Sequence, residues 1–531
     1  MKKIQYLLVT LVITLGFSAC QDDFLTRYPE GGTLLEEQYA QLPDNLTGSI
    51  MGIYSKLYEY GGDHDEFGFR AIDMYGDFQS GDMAMKNETY GWFSSYDRGF
   101  FYVYARSYIW NFYYEIINLI NISAYAVEDN LQDMIDGITG TPSAATIEQA
   151  YYYGQIMALR GWAYANLLNF YCNPMDEIDD LETEPSIPIY TEVEYAAGSN
   201  GEPRAAVSQV YERVYEDLSL AIELLDYYGK LHARDSKLEV DADVARIMLA
   251  YAMLNRGKDD IIADGKTAYD IAFEQAKAVI DGGKYPLMPQ AELTTTGFSD
   301  VNAKNWLWGQ DVTVETTTAL ASFFGQVDVH TYSYAAAGDT KCIDSKLYDE
   351  LAAKGWDARV NWFNPGGVPN AYCPENKFYC PSTKNETSLD KVDRNWLCDN
   401  VFMRVEVAYL IAAEAAWAKG ENSTAVNYLK QLCDERIIPG KETEATAWIE
   451  SLSSADAIKA ALIYNWRVEM WGEGYGLQTL RRLSKTNELG ENHLDTRKGK
   501  PVNADETCQC EIPTSESLYN PNLNKYTYAH E

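Results

Sequence analysis

Apolar residues recur at the three-to-four-residue spacing of a helix face over nine long segments, about 34–59, 101–128, 146–171, 206–228, 241–256, 266–281, 403–419, 422–436 and 454–472. A chain with that periodicity over so much of its length must bury helix stripes against other helices. Strand signals are short and isolated: Ile187-Pro-Ile-Tyr, Trp306-Leu-Trp-Gly-Gln and Cys510-Glu-Ile-Pro. The pattern predicts a mostly α chain with a few short strands and long loops.

Segments 146–171 with 206–228, 241–256 with 266–281, and 403–419 with 422–436 read as antiparallel helical hairpins. An acidic, Pro-containing insertion separates the first pair, so the fixed period of a tetratricopeptide array is not kept. The expectation is a divergent tetratricopeptide-like scaffold of helical hairpins with long inserted loops. Two regions, 61–100 and 284–400, break the helical pattern and are rich in Gly, aromatic and polar residues. Loops of that length inside a domain are usually functional, and a rigid scaffold positions them.

The chain begins MKKIQYLLVTLVITLGFSAC. Lys2 and Lys3, an apolar run over residues 6–17, and small Ser18 and Ala19 before Cys20 make a secretory signal. The run is shorter than the roughly 20 residues of a membrane-spanning helix. Its end resembles a bacterial lipoprotein box, with Phe17 where Leu is usual, in which Cys20 is diacylated and becomes the first mature residue. Two acyl chains hold a protein stably on a membrane.

Without its 19-residue leader the chain has 512 residues (531 − 19), and losing Lys2 and Lys3 moves the net charge from −36 to −38. So acidic a surface argues against nucleic acid and against a polyanionic ligand. The 41 Tyr, 12 Trp and 17 Phe are more than a core requires, so a share of exposed rings is expected. Such rings have a flat apolar face and suit weakly polar ligands such as sugars. Eight cysteines follow Cys20, an even number that suits one or two disulfides in an oxidising compartment, with Cys373 and Cys380 the best-placed pair. There is no CxxC pair and the few His are scattered, which argues against zinc.

Other chemistry is thin. With 79 acidic residues a pair of glycosidase-like carboxylates could be found anywhere and identifies nothing. The stretch Asp260 to Thr267 imitates a phosphate-binding loop but has Asp where the first Gly must be. The acidic runs Gly62–Glu66 and Asp176–Asp180 could hold a structural calcium ion, though solvated loops explain them more simply. Trp306 and Trp308 read as core, and Arg404, Glu406 and Glu414 as a buried charged network, since buried charges must be paired.

Five ordered motifs resemble one family. Cys20-Gln-Asp-Asp-Phe-Leu is similar to its mature start. Trp110 and Tyr113 with Ile116, Ile117 and Asn118 resemble a helix of the type WxxxYxxIxxaN, with Tyr113 one residue nearer Trp110 than in that pattern, and Arg160 to Tyr171 resemble RAxAYxxLxxxY, with Cys172 where Gly is usual. Met403 to Ala415 is the most specific match, to lRlaEvyLirAEA, and Glu511 to Glu516 with Asn520 to Leu523 resemble IPxxE and NPnL. The family is that of the SusD/RagB outer-membrane lipoproteins. Residues 464–482 depart from it: Glu469, Glu473, Gly474 and Arg482 match, but Asn465, Trp466, Gly476 and Thr479 stand where Glu, Arg, Arg and Asp are usual. Altered internal packing without loss of fold is the expectation.

The resemblance implies one SusD-like domain over residues 20–531, built on four tetratricopeptide-type repeats and lipid-anchored on the cell exterior. It implies no catalysis and no cofactor. It also implies capture of an oligosaccharide, less often a peptide, for a TonB-dependent SusC-like transporter. An exported hydrolase and a pure scaffold for the transporter are the readings outside it. Ligand loops in the family precede the WxxxY helix and follow the short strand, which here means 61–100 and 312–340. The first offers Trp92, Phe93 and Tyr96 with Asp77, Asp82 and Arg98. The second offers Tyr332 and Tyr334 beside His330.

Overall fold

The computed structural model describes residues 45–99, 103–192, 201–367, 370–382, 384, 396–504, 510–524 and 526–527. The leader and Cys20 lie outside them. The principal helices are α1 (Asn45–Lys56), α2 (Phe69–Ser80), α3 (Val103–Tyr125), α4 (Ala144–Tyr171), α5 (Val207–Tyr228), α6 (Ala242–Arg256), α7 (Ala268–Gly282), α8 (Glu406–Ala418), α9 (Asn422–Asp434) and α10 (Ala455–Glu469). From α3 to α9 each packs on the next, so the three expected hairpins are present and are joined into one continuous array.

Local sequence explains where the helices start. Ser143 and Asp241 accept the backbone N–H groups of Thr146 and Val244, and Thr267 exchanges bonds with Asp270 as a capping box. Two glycines explain how closely α4 meets α5. A Cβ on Gly154 would lie 2.9 Å from Leu225, and one on Gly161 2.8 Å from Leu218. Leu218 and Leu225 therefore seat directly on the α4 backbone.

The β elements are minor. Trp306–Gln310 (β1) pairs antiparallel with Asn400–Arg404 (β2), and both Trp306 and Trp308 are fully buried, as expected. Pro185–Pro188 pairs with Arg204–Ala206. Cys510 to Pro513 is not a strand; its Cys510 N–H donates to the Phe170 carbonyl at 2.7 Å. The two long loops are also less irregular than their composition suggests. The first contains α2, all twelve residues of which are buried, and the second contains the helix Ser345–Lys354.

Arg404, Glu406 and Glu414 are buried and paired, in keeping with a structural network. Cys373 and Cys380 are separate thiols, not a bridge. Among the described residues no group of three or more His, Cys, Asp or Glu could hold a metal ion. In the two acidic runs Asp176 pairs with Lys485, Asp180 caps its own turn, and His64 joins an aromatic stack.

Candidate functional site

A two-residue ladder brings the two long loops together: Met83 and Ala84 pair with Ile343 and Cys342. Beyond the ladder, the Asp339 carboxylate gathers the backbone of the first loop. It accepts N–H groups from Thr89, from Tyr90 at 3.1 Å and from Gly91 at 3.0 Å. Gly338 makes the approach possible at a φ of 118°, where a Cβ would lie 2.5 Å from the Thr89 hydroxyl.

Five aromatic rings then meet at the surface. His64 stacks on Trp92 with ring centres 5.2 Å apart and planes 16° from parallel. Tyr334 stands edge-on to both, at 5.5 Å from His64 and 6.2 Å from Trp92, and its hydroxyl is hydrogen-bonded to His64 Nδ1 at 2.8 Å. Tyr90 lies edge-on to Tyr334 at 5.2 Å, and Tyr60 edge-on to His64 at 6.1 Å. Tyr60 and Tyr90 are 43% and 61% exposed, Tyr334 only 8%, so the cluster is a supported platform with open edges.

The support lies underneath. Gln326 donates to the His64 carbonyl and accepts from Lys341 Nζ, both at 2.7 Å. Burial pushes the Lys341 ammonium down to about 7, and its Nζ sits 5.5 Å from the centre of the Phe93 ring. Burial also lifts Asp65 to about 6 and Glu66 to about 7. At the rim, both terminal nitrogens of Arg98 donate to Glu88 at 2.6 Å.

Of the residues expected from sequence, the structure brings Trp92 and Tyr334 into the platform and Arg98 to its rim. Tyr332 is half-buried against Trp396, whose indole donates to the Tyr332 carbonyl at 2.9 Å. His330 is buried and bonded to the Glu375 carbonyl. Four residues prove to be interior. Phe93 adopts a left-handed backbone (φ 67°) directly after Trp92, which turns its ring inward against Phe67, Tyr75 and Phe78. Tyr96 stacks on Tyr75 at 4.5 Å and is 3% exposed. Asp77 accepts the N–H groups of Gly474 and Gly476, and Asp82 pairs with Arg467 at 2.6 Å. Their burial takes all four out of reach of a ligand in solvent. Sequence reasoning missed Tyr60, His64 and Tyr90. Tyr90-Gly-Trp92 was a visible signal, since a glycine between two rings lets both point away from the chain.

The platform is a surface, not a cavity. Cavities of about 460 Å³ beside Tyr153 and Arg160 and about 350 Å³ beside Trp110 and Tyr114 lie on the helical array. Flat aromatic rings presented on loops can bind and orient a ligand.

The helical-hairpin array thus carries an aromatic platform on its inserted loops. Residues 43–249, from α1 into α6 and including the first platform loop, match the family SusD-like_3, described as starch-binding and associating with the outer membrane. Across 91% of this chain the fold is that of a SusD-like carbohydrate-binding protein from Bacteroides vulgatus, at 22% identity, 97% of that chain and a TM-score of 0.66. A putative sugar-binding protein from Bacteroides vulgatus matches 91% of this chain and 97% of its own, at 21% identity and a TM-score of 0.66. A SusD superfamily protein from Bacteroides fragilis matches 91% of this chain and 99% of its own, at 20% identity and a TM-score of 0.67. No curated protein matches the sequence. Residues 43–249 thus match the SusD-like family model, and the fold over about nine-tenths of the chain is that of SusD-like proteins.

Proposed function

We propose that the protein captures a neutral oligosaccharide on the platform of Tyr60, His64, Tyr90, Trp92 and Tyr334. We further propose that it hands the sugar to a SusC-like TonB-dependent transporter while tethered to the outer membrane through lipid on Cys20. The convergence of five rings from two loops on one exposed patch carries the reading. Sugar rings present C–H faces that stack on such surfaces, and the open edges admit a chain longer than any enclosed pocket would. The carboxylates of Asp63, next to His64, and of Glu88, with Arg98 already committed to Glu88, favour a neutral over an acidic glycan. The family description and the sugar-binding names of the structural relatives support the ligand class. No helix among the described residues is long and apolar enough to cross a membrane, which accords with a lipid tether.

Calorimetric titration with a panel of neutral oligosaccharides tests the ligand and the place together. Trp92→Ala should lose at least about tenfold in affinity, a loss of about 1.4 kcal/mol. Tyr90→Ala, with the more exposed ring, should lose several-fold. Unchanged affinity in both variants places the site elsewhere. Binding of peptides but of no glycan makes the protein a peptide-capturing member of the family, and turnover of a labelled oligosaccharide makes it a hydrolase. Release of Cys20→Ala protein from the membrane fraction, and co-purification of a transporter with the wild type, test the address and the partner.

A further inference from the structure

Cys380 and Cys398 bracket the stretch 381–397 and are 5% and 4% exposed. The segments carrying them are both pinned to residues 297–299: the Tyr379 N–H donates to the Gly297 carbonyl at 3.1 Å and the Asp399 N–H to the Ser299 carbonyl at 3.0 Å. The Cys380 N–H donates to Asp328 at 2.8 Å, and Asp399, next to Cys398, accepts the N–H groups of Val301 and Val312 at 2.8 and 2.9 Å. Both are reduced thiols and neighbours, and the Cys380 sulfur also meets the Ser382 hydroxyl at 3.1 Å. Cys373 faces another way, with its sulfur against Gly367.

We propose that Cys380 and Cys398 form a disulfide in the mature protein, a modification that rests on the export reading above. The oxidant is a disulfide donor of the dithiol–disulfide class. The thiolate of one cysteine attacks the donor and releases one donor thiolate. The second cysteine then attacks the mixed disulfide and releases the other. Two protons and two electrons leave the protein, one S–S bond forms, and the donor becomes a dithiol. The contact with Cys380, together with burial, raises the pKa of the Cys398 thiol, so the reactive thiolate is scarce once the chain has folded. The bond is therefore made as the chain folds, before the two cysteines are buried, and the same burial afterwards shields it from reductant. It closes a loop of 17 residues and holds Trp396 against the Tyr332 carbonyl, at the flank of the second platform loop.

The full chain, expressed with its own leader and purified from the cell envelope, is denatured and alkylated without reductant, then digested and mapped by mass spectrometry. The expected product is one peptide pair joined through Cys380 and Cys398, 2 Da lighter than the reduced pair. Cys380→Ser should make Cys398 fully alkylatable without changing any other cysteine. A second sample is reduced, unfolded and refolded over a glutathione couple. Both cysteines alkylated after that refolding, or Cys380 joined to Cys373, overturns the proposal on its geometry. A bond that forms on refolding but is missing from envelope-purified protein overturns it through its export premise instead.

Discussion

A buried histidine joins the segments that carry the two halves of the platform. His493 Nδ1 meets Asp97 at 2.6 Å and Nε2 meets Asp344 at 3.2 Å. Asp97 ends the turn that follows Trp92, and Asp344 follows the ladder that pairs the loops and caps the helix Ser345–Lys354. Burial opposes the imidazolium, but the bonds to Asp344 and Asp97 outweigh it and lift its pKa from 6.5 to about 9. The folded state thus holds a proton that the unfolded chain releases between pH 6.5 and 9. The stabilisation is full below 6.5 and is lost as pH rises through 9, a change on the order of 3 kcal/mol. Thermal unfolding of wild type should fall across that window, and His493→Gln should be less stable at pH 6 and flatter from 6.5 to 9. Equal slopes for the two proteins would remove His493 as the bridge. The sequence hides such a residue. His493 stands alone in its segment and meets its carboxylates through contacts spanning 396 and 149 positions. The same holds for Trp92 and Phe93: two neighbouring rings read alike, and only the left-handed turn at Phe93 separates the solvent-facing one from the buried one.

Among elements, the array was legible and the insertions were less so. Helices α5, α7 and α9 have a buried face and a wetter face, and α4 and α8 are long apolar runs buried nearly all round, so both kinds are written into the sequence. Helix α2 is short, holds Gly76 and carries Arg70, Asp73 and Asp77 among its buried residues, so it reads as part of a polar, Gly-rich loop. The segment at Cys510 failed in the opposite sense, an apolar alternation that docks on α4 through Cys510 without a strand partner. The resemblance located the two ligand loops, but their meeting depends on Asp339 and Gly338, which no local pattern marks. Asp339 acts here as the clasp of an element. It collects three N–H groups of the segment that presents Tyr90 and Trp92, and hydrogen bonds to a charged acceptor contribute about 1.5–3 kcal/mol each. Asp339→Asn keeps the shape but removes the anion. It should weaken glycan binding about five- to tenfold, although Asp339 is fully buried and beyond contact with a ligand. Its melting temperature should change little, because the loop opens locally. Full affinity in the variant would show that the rings hold their arrangement without the clasp.

Across the whole molecule, the second inserted region is fastened to the array by charge. Arg359, Lys377, Arg404 and Arg436 meet Asp357, Glu406, Glu469 and Glu473, and every one of these side chains is buried. Glu469, at the end of α10, is the hub, receiving Arg359 at 3.0 Å, Arg404 at 2.6 Å and Arg436 at 2.8 Å. The departures from the family pattern sit around this hub and are accommodated by it. Asn465 accepts from Arg359 at 3.0 Å, and Trp466 donates to Glu414 at 2.7 Å, which Arg482 also engages. Gly476 is required, since a Cβ there would lie 2.5 Å from the Ser80 hydroxyl, so the arginine usual at that place has no room. Burial alone would raise the Glu469 carboxyl, but Arg436, Arg404 and Arg359 hold it well below the ordinary range. Its contribution is therefore present above the unfolded value of about 4.5 and is lost as pH falls below it. Glu469→Gln leaves three guanidinium groups facing a neutral amide in a dry interior. Breaking a buried pair by removing one partner costs about 3–5 kcal/mol, and urea unfolding should show a loss of that size at pH 7. The variant should also lose less stability than wild type on acidification from pH 5 to 3, because the group that titrates is gone. Glycan affinity per folded molecule should stay unchanged, because none of the five platform rings belongs to the cluster. A loss below about 1 kcal/mol would mean that the cluster is redundant, and that the apolar contacts of Trp306, Trp308 and Trp362 dock the insertion by themselves.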